Sequence, residues 1–193
     1  MLARFRGDDG ANAVEFALVL PILVVLIFGI LWGGIALNQK LTITQAAREG
    51  ARFGATFPFE GDAPDDEPWF NAISERIERS ATGELSGGLG AYCIRLSNPD
   101  GVDAFRFYPD PDEVPDHPVV ERIQERYGNC EVATDDTSLI ADRPRVEVVT
   151  ARPVRLDFVF YDLSRVVLSD SVARFEPSID DDDNDEGDDD DDG

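Results

Sequence analysis

A carboxylate at the edge of a long apolar segment is the feature of this sequence that could do chemistry. Glu15 lies five residues after Gly10, and the 24 residues between Glu15 and Lys40 carry no charge. A charged side chain at the centre of a bilayer costs at least about 2.5 kcal/mol. A single Glu beside such a segment is usually interfacial, but a Gly, a Glu five residues later and a charge-free span of this length seldom occur together by chance.

The apolar segment predicts one helix that crosses a membrane. At about 1.5 Å per residue, 24 residues extend roughly 36 Å, which exceeds a hydrocarbon core of about 30 Å. The apolar core of a signal peptide is shorter, about 7–15 residues. The sequence has no second segment of this kind, so it predicts a single-pass protein whose partner is the lipid bilayer.

The orientation of this helix is inferred from the residues that follow it. Arg4 and Arg6 precede the segment and Lys40, Arg48 and Arg52 follow it, so the positive-inside rule is close to balanced. An acidic C-terminal part with two cysteines fits an extracytoplasmic location better. We expect the cell (inner) membrane, with the N-terminus in the cytoplasm.

The two cysteines, Cys93 and Cys130, both follow the apolar segment. In an oxidising compartment a disulfide between them is chemically permitted, and it could add roughly 3–5 kcal/mol of stability. Two unpaired buried thiols are the alternative.

The charge balance excludes one class of partner. The chain has 40 acidic and 17 basic residues, a net charge of −23. Such a chain is repelled by phosphate backbones, so we expect no nucleic-acid binding. The Asp-rich residues 180–193 have no apolar content and predict a disordered, solvated tail.

The membrane helix is predicted to continue into the downstream domain as one element over residues 11–55. Small and apolar residues recur there at spacings of three or four, which predicts a face that packs on a sheet: Leu37, Leu41, Thr44, Ala47, Ala51 and Ala55. Two glycine pairs, Gly29/Gly33 and Gly50/Gly54, have the spacing that lets helices approach closely. Incidental glycines are an equally weighted alternative for each pair.

Residues 56–179 predict a small α+β domain. Two amphipathic helices are indicated, over 68–81 and 117–127, and residues 91–109 predict a hairpin with Asp100-Gly101 in its turn. Residues 143–177 carry the longest strand pattern. The predicted fold class is therefore α+β, with a long N-terminal helix packed on a small antiparallel sheet.

No catalytic or cofactor site is indicated. His117 is the only histidine, has no partners for a triad, and is predicted to be a plain surface residue. Two cysteines and one distant histidine do not form a zinc site. We expect no enzyme activity and no cofactor.

The stretch from Gly10 to Phe16 resembles the type IV prepilin pattern, in which a polar leader ends in Gly and the fifth mature residue is Glu. The resemblance implies a leader over residues 1–10 and cleavage between Gly10 and Ala11 by a prepilin peptidase. It also implies that Glu15 pairs with the new amine of Ala11 on a neighbouring subunit. Pro21 lies near the position where pilins often carry a helix-kinking proline.

A narrower resemblance covers roughly the first 55 residues. The segments "AVEFALVLP" and "QAAREGAR" are similar to the TadE-like family of the tight-adherence (Flp) pilus system. It implies a minor pilin or pseudopilin, with other pilins or pilus assembly proteins as partners.

Two alternatives stay open. One is a signal-anchored extracytoplasmic binding domain unrelated to pili. The other is a secreted soluble protein, because Gly34-Ile35-Ala36 is a small-x-small site and cleavage after Ala36 would release the domain.

Overall fold

A single long helix forms the N-terminal part of the chain. The computed structural model describes residues 8–57, 67–85, 90–99, 103–133, 143–158 and 161–175. Helix α1 (Asp8–Thr56) has 49 residues and contains Pro21. The predicted long helix is confirmed, and it begins inside the segment predicted as a leader. The predicted C-terminal tail, residues 180–193, lies outside the described residues.

Four antiparallel strands form the sheet. They are β1 (Ala91–Ser97), β2 (Asp103–Tyr108), β3 (Arg145–Phe158) and β4 (Tyr161–Arg174), in the order β2-β1-β3-β4. The predicted β1–β2 hairpin is confirmed, while its predicted turn at Asp100-Gly101 lies outside the described residues.

Two shorter helices complete the layers. Helix α2 (Glu67–Ser80) buries Trp69, Phe70, Ile73 and Ile77, and helix α3 (Pro118–Tyr127) buries Val119, Val120 and Ile123. Both helices confirm the amphipathic patterns read from the sequence.

The two faces of the sheet carry different helices. Successive residues of β1 face opposite sides of the sheet, because side chains alternate across a strand. Tyr92 and Ile94 pack with α1 and α2 on one face. Ala91 and Cys93 pack with α3 on the other. The α+β class with a long helix on a small antiparallel sheet is thereby confirmed.

The sheet-facing side of α1 differs from the predicted face. Ala47, Ala51 and Ala55 are buried as predicted, but Leu37 and Leu41 are 65% and 56% exposed. The residue that meets the sheet is Ile43, which is 1% exposed. Two positions along a helix turn by about 200°, so Leu41 lies on the side opposite Ile43. This part of the prediction was wrong.

The prediction that His117 is a plain surface residue was also wrong. Its side chain is only 9% exposed, and it caps the N-terminus of α3. His117 Nδ1 accepts a hydrogen bond from the backbone N–H of Val120 at 3.4 Å, while Pro118 begins the helix. Pro is favoured at this position because its missing N–H would have no helical partner.

Candidate functional site

The two halves of helix α1 have different surroundings. From Asn12 to Leu41 nearly all side chains are exposed, with Phe16 at 64%. From Ile43 onward one side of the helix is buried in the domain. By length and composition, α1 is the one helix among the described residues that could cross a membrane.

The predicted cleavage and assembly residues lie together at the N-terminal end of α1. Gly10 and Ala11 fall in its first turn, whose N–H groups have no helical partner. The Gly10–Ala11 bond therefore lies in a turn with fewer backbone hydrogen bonds than the rest of the helix.

Glu15 lies one turn beyond Ala11. Residues four apart in a helix share a face, with about 5–6 Å between their Cβ atoms. Glu15 is exposed, so its carboxylate is open to a partner outside this chain. Phe16 follows it with an equally exposed ring, and Pro21 lies within the same exposed half. Cleavage and pairing at these residues stay predictions.

The glycine pair Gly50/Gly54 lies where α1 approaches α2. A Cβ added at Gly50 would lie 2.4 Å from Ile77 Cγ1, and one at Gly54 would lie 2.6 Å from Ile73 Cδ1. Such distances are inside normal contact, so a larger residue at either position requires Ile77 or Ile73 to shift. The other pair differs, because no atom of the described chain lies within 4 Å of a Cβ at Gly29 or Gly33.

Hydrogen bonds fix the buried half of α1 at its two ends. Thr150 Oγ1 donates to the Ile43 carbonyl at 3.0 Å, and Ser169 Oγ donates to Thr44 Oγ1 at 3.0 Å. Eleven residues later, Trp69 Nε1 donates to the Gly54 carbonyl at 3.2 Å. These contacts join distant parts of the sequence, and no local pattern pointed to them.

The structure joins Cys93 and Cys130 in a disulfide, with 5.8 Å between their Cα atoms. The bond links β1 to the segment that follows α3. Nearby, the buried carboxylate of Glu147 accepts hydrogen bonds from the Val132 N–H at 2.9 Å and from Arg145 Nε at 2.5 Å. The disulfide and Glu147 together hold the segment after α3 against the sheet.

Three tyrosines of the C-terminal domain have a raised pKa. Burial is the main cause for Tyr92, Tyr108 and Tyr127. The Tyr92 hydroxyl also donates to Glu78 Oε1 at 2.9 Å, and that carboxylate raises the pKa further. Tyr92 belongs to the core between α2 and the sheet, so its neutral form is part of the folded state.

We expect alkaline pH to destabilise the fold through these tyrosines. Their folded pKa values lie above the ordinary value of 10.0. The stability that these neutral tyrosines contribute to the folded state is therefore fully present below pH 10, and it is lost as the pH rises through their raised pKa values. Tyrosinate absorbance should rise later in the folded chain than in the chain unfolded by denaturant. Coincident curves would contradict this, and Tyr92→Phe should remove the latest step.

Among the described residues, no group of three or more His, Cys, Asp or Glu side chains could hold a metal ion. Both cysteines are committed to the disulfide. Helix α1 is thus packed against the domain along its C-terminal half and exposed along its N-terminal half.

The family comparison covers most of helix α1 and both of its halves. Residues 10–52 match the family model of TadE-like protein, which confirms the resemblance read from the sequence and supports the TadE-like family of the tight-adherence pilus system. The match suggests a pilus-associated protein. No curated protein and no solved structure matches the chain.

Proposed function

We propose that this chain, which is TadE-like over residues 10–52, is a minor pilin or pseudopilin that takes part in assembly of a tight-adherence (Flp) pilus. The observation that carries the proposal is that the matched segment lies within α1, from Gly10 through the exposed half and into the buried half. The function is one of assembly and not of catalysis.

The exposed half of α1 would first hold the protein in the cell membrane. Each exposed Phe, Leu, Ile or Val contributes about 0.3–0.6 kcal/mol to insertion, and fifteen of them lie between Phe16 and Leu37. The C-terminal domain would face the extracytoplasmic side, which the Cys93–Cys130 disulfide supports because such bonds persist in oxidising compartments.

A prepilin peptidase would then cut between Gly10 and Ala11. Hydrolysis of this peptide bond leaves a carboxylate on Gly10 and an amine on Ala11. The amine can pair with Glu15 of a neighbouring subunit, which compensates the cost of placing that carboxylate in an apolar assembly. The open surface around Gly29 and Gly33 would let the apolar halves of neighbouring helices approach closely.

The proposal is tested by N-terminal sequencing and intact mass of the protein recovered from membranes of its native host. We expect a mature start at Ala11, lost in Gly10→Ala and in cells without the prepilin peptidase. Gly33→Ala is the matched control, since it makes the same change in the same helix and should leave the cut intact. A start at Leu37 would indicate a secreted soluble protein, and retention of Met1 a plain anchor.

Glu15→Gln should separate assembly from processing. The amide has nearly the shape of the carboxylate but no charge to pair with the Ala11 amine. We expect processing at Ala11 to remain normal while recovery in the sheared pilus fraction falls at least tenfold. Glu49→Gln is the control, because this glutamate pairs with Arg76 of its own chain. Unchanged recovery of Glu15→Gln would contradict the pairing.

A further inference from the structure

The last two strands extend well past the rest of the sheet. Strand β1 pairs with β3 only as far as Ala91 opposite Ala151, whereas β3 and β4 stay paired up to Phe158 opposite Tyr161. Pro153 follows soon after Ala151 and offers no N–H to a further strand. We call the two-stranded extension, residues 152–158 and 161–167, the ribbon.

The ribbon points along α1 toward its apolar half. A Cβ at Gly54 would lie 3.0 Å from Val146 Cγ1, and Thr150 bonds to the Ile43 carbonyl. Moving from Val146 to Thr150 along β3 therefore corresponds to moving back from Gly54 to Ile43 along α1. The ribbon continues in the same direction and passes the level of Lys40, the first charge after the apolar segment.

The length of the ribbon brings its end to the outer part of the apolar segment. Phe158 is eight residues beyond Thr150, which is about 26 Å at about 3.3 Å per residue. At a tilt of about 45° the advance along α1 is about 18 Å, equal to about 12 helical residues. Counted back from Ile43, this reaches Leu31, which adjoins Trp32.

Burial along α1 follows the same path. Between Asn12 and Leu41 only three side chains are partly buried, and these are Trp32, Ala36 and Gln39. They precede Ile43 at helical spacings of four, three and four, so they continue the stripe by which α1 meets the sheet. The ribbon is the part of the sheet that extends along this stripe.

The end of the ribbon combines aromatic and acidic residues. Phe158 pairs with Tyr161, and Asp157 pairs with Asp162. Residues 159 and 160, between the strands, lie outside the described residues.

We infer that the outer lipid–water interface of the bilayer lies at the level of Trp32, and that the end of the ribbon, at positions 158 and 161, is seated in it. Trp and Tyr favour this boundary, where one part of the ring is apolar and another is hydrated. Asp157 and Asp162 oppose entry into the hydrocarbon, where a carboxylate is costly. The ribbon is thus a second membrane contact beside the helix.

The assignment shortens the membrane-spanning part of α1. From Phe16 to Trp32 there are 17 residues, at the lower end of the range of about 17–25 that spans a bilayer. The segment from Gly33 to Gln39 then lies outside the hydrocarbon, with one side covered by the ribbon. This inference rests on α1 crossing the membrane, a premise of the proposed function, but not on pilus assembly.

The test is quenching of tryptophan fluorescence by brominated phosphatidylcholine, in full-length protein reconstituted into vesicles. Trp32→Phe provides the background, since Trp69 is fully buried in the domain and gives a constant signal. Phe158→Trp reports on the end of the ribbon. Phe105→Trp is the control, because Phe105 is 44% exposed on β2, at the opposite edge of the sheet.

We expect bromine placed near the headgroup to quench Phe158→Trp at least threefold more than Phe105→Trp, and more than bromine near the chain ends does. Equal quenching at the two positions would overturn the inference, and so would stronger quenching by the deeper bromine. Tyr161→Trp provides a second reading if Phe158→Trp does not fold. Absence of quenching at the native Trp32 would instead refute the membrane-spanning helix.

Discussion

Replacing both Cys93 and Cys130 by alanine is expected to lower the free energy of unfolding of the C-terminal domain by about 4 kcal/mol. The two residues are 37 positions apart, and closing a loop of this length removes chain entropy from the unfolded state worth about that much. Cys130 also has a positive φ of 69°. That conformation costs a non-glycine residue of order 1 kcal/mol and persists when its surroundings enforce it.

The measurement is denaturant unfolding of the full chain in detergent, followed by near-ultraviolet circular dichroism. Reduction of the wild type should reproduce the stability of the double variant, and the double variant should not respond to reductant. If the wild type and the double variant unfold at the same denaturant concentration, the loop-closure argument is wrong for this domain.

The elements of the fold were predictable because each carries a local pattern. Trp69, Phe70, Ile73 and Ile77 repeat at helical spacing within one short segment, and they form the buried side of α2. The β1–β2 hairpin likewise follows from two alternating runs. Hydrophobic periodicity is a property of neighbouring residues, so it can be read without knowing the tertiary structure.

The buried side of α1 could be read only in part, because Ala47, Ala51 and Ala55 are buried as predicted but Leu37 and Leu41 are exposed. The contacts that decide the buried side come from distant parts of the sequence, as where Ile73 and Ile77 of α2 meet Gly54 and Gly50. The glycine spacing pointed to a close approach but not to its partner.

The candidate site shows the same limit, because its local patterns could be predicted and its long-range contacts could not. Gly10, Ala11 and Glu15 were predicted from a local spacing, and the structure places them at one end of a helix. The buried carboxylate of Glu147 was missed, since nothing around it in the sequence distinguishes it from the many exposed acids. Its partner Val132 N–H lies 15 residues away along the chain.

The firm attachment of the buried half of α1 has a mechanical consequence. If α1 moves between a bilayer and an assembly, as in the proposed function, it transmits force to its domain through α2 and the sheet. Gly50 and Gly54 allow that attachment to be close, whereas Gly29 and Gly33 have open space around them. Two glycine pairs with the same spacing in one helix therefore have different surroundings.

Gly50→Val is expected to destabilise the C-terminal domain by about 3 kcal/mol, at the upper end of the usual cost of overpacking a core. The new Cβ alone would lie 2.4 Å from Ile77 Cγ1 and 2.8 Å from Ile77 Cδ1, so α2 must move or Ile77 must leave its rotamer. Valine and glycine differ by only a few tenths of a kcal/mol in helix propensity, so the loss measures packing. Thermal unfolding should shift down by about 10 °C.

Gly33→Val makes the same change in the open half of α1 and should leave the melting temperature of the domain unchanged. Gly50→Val combined with Ile77→Ala should be more stable than the sum of the two single losses predicts, by at least about 1 kcal/mol, because the valine occupies space that the isoleucine vacates. Strict additivity, or equal losses for Gly50→Val and Gly33→Val, would contradict the contact. Since the coupling arises only where the two side chains compete for one volume, it reports directly on whether α1 and α2 meet at Gly50.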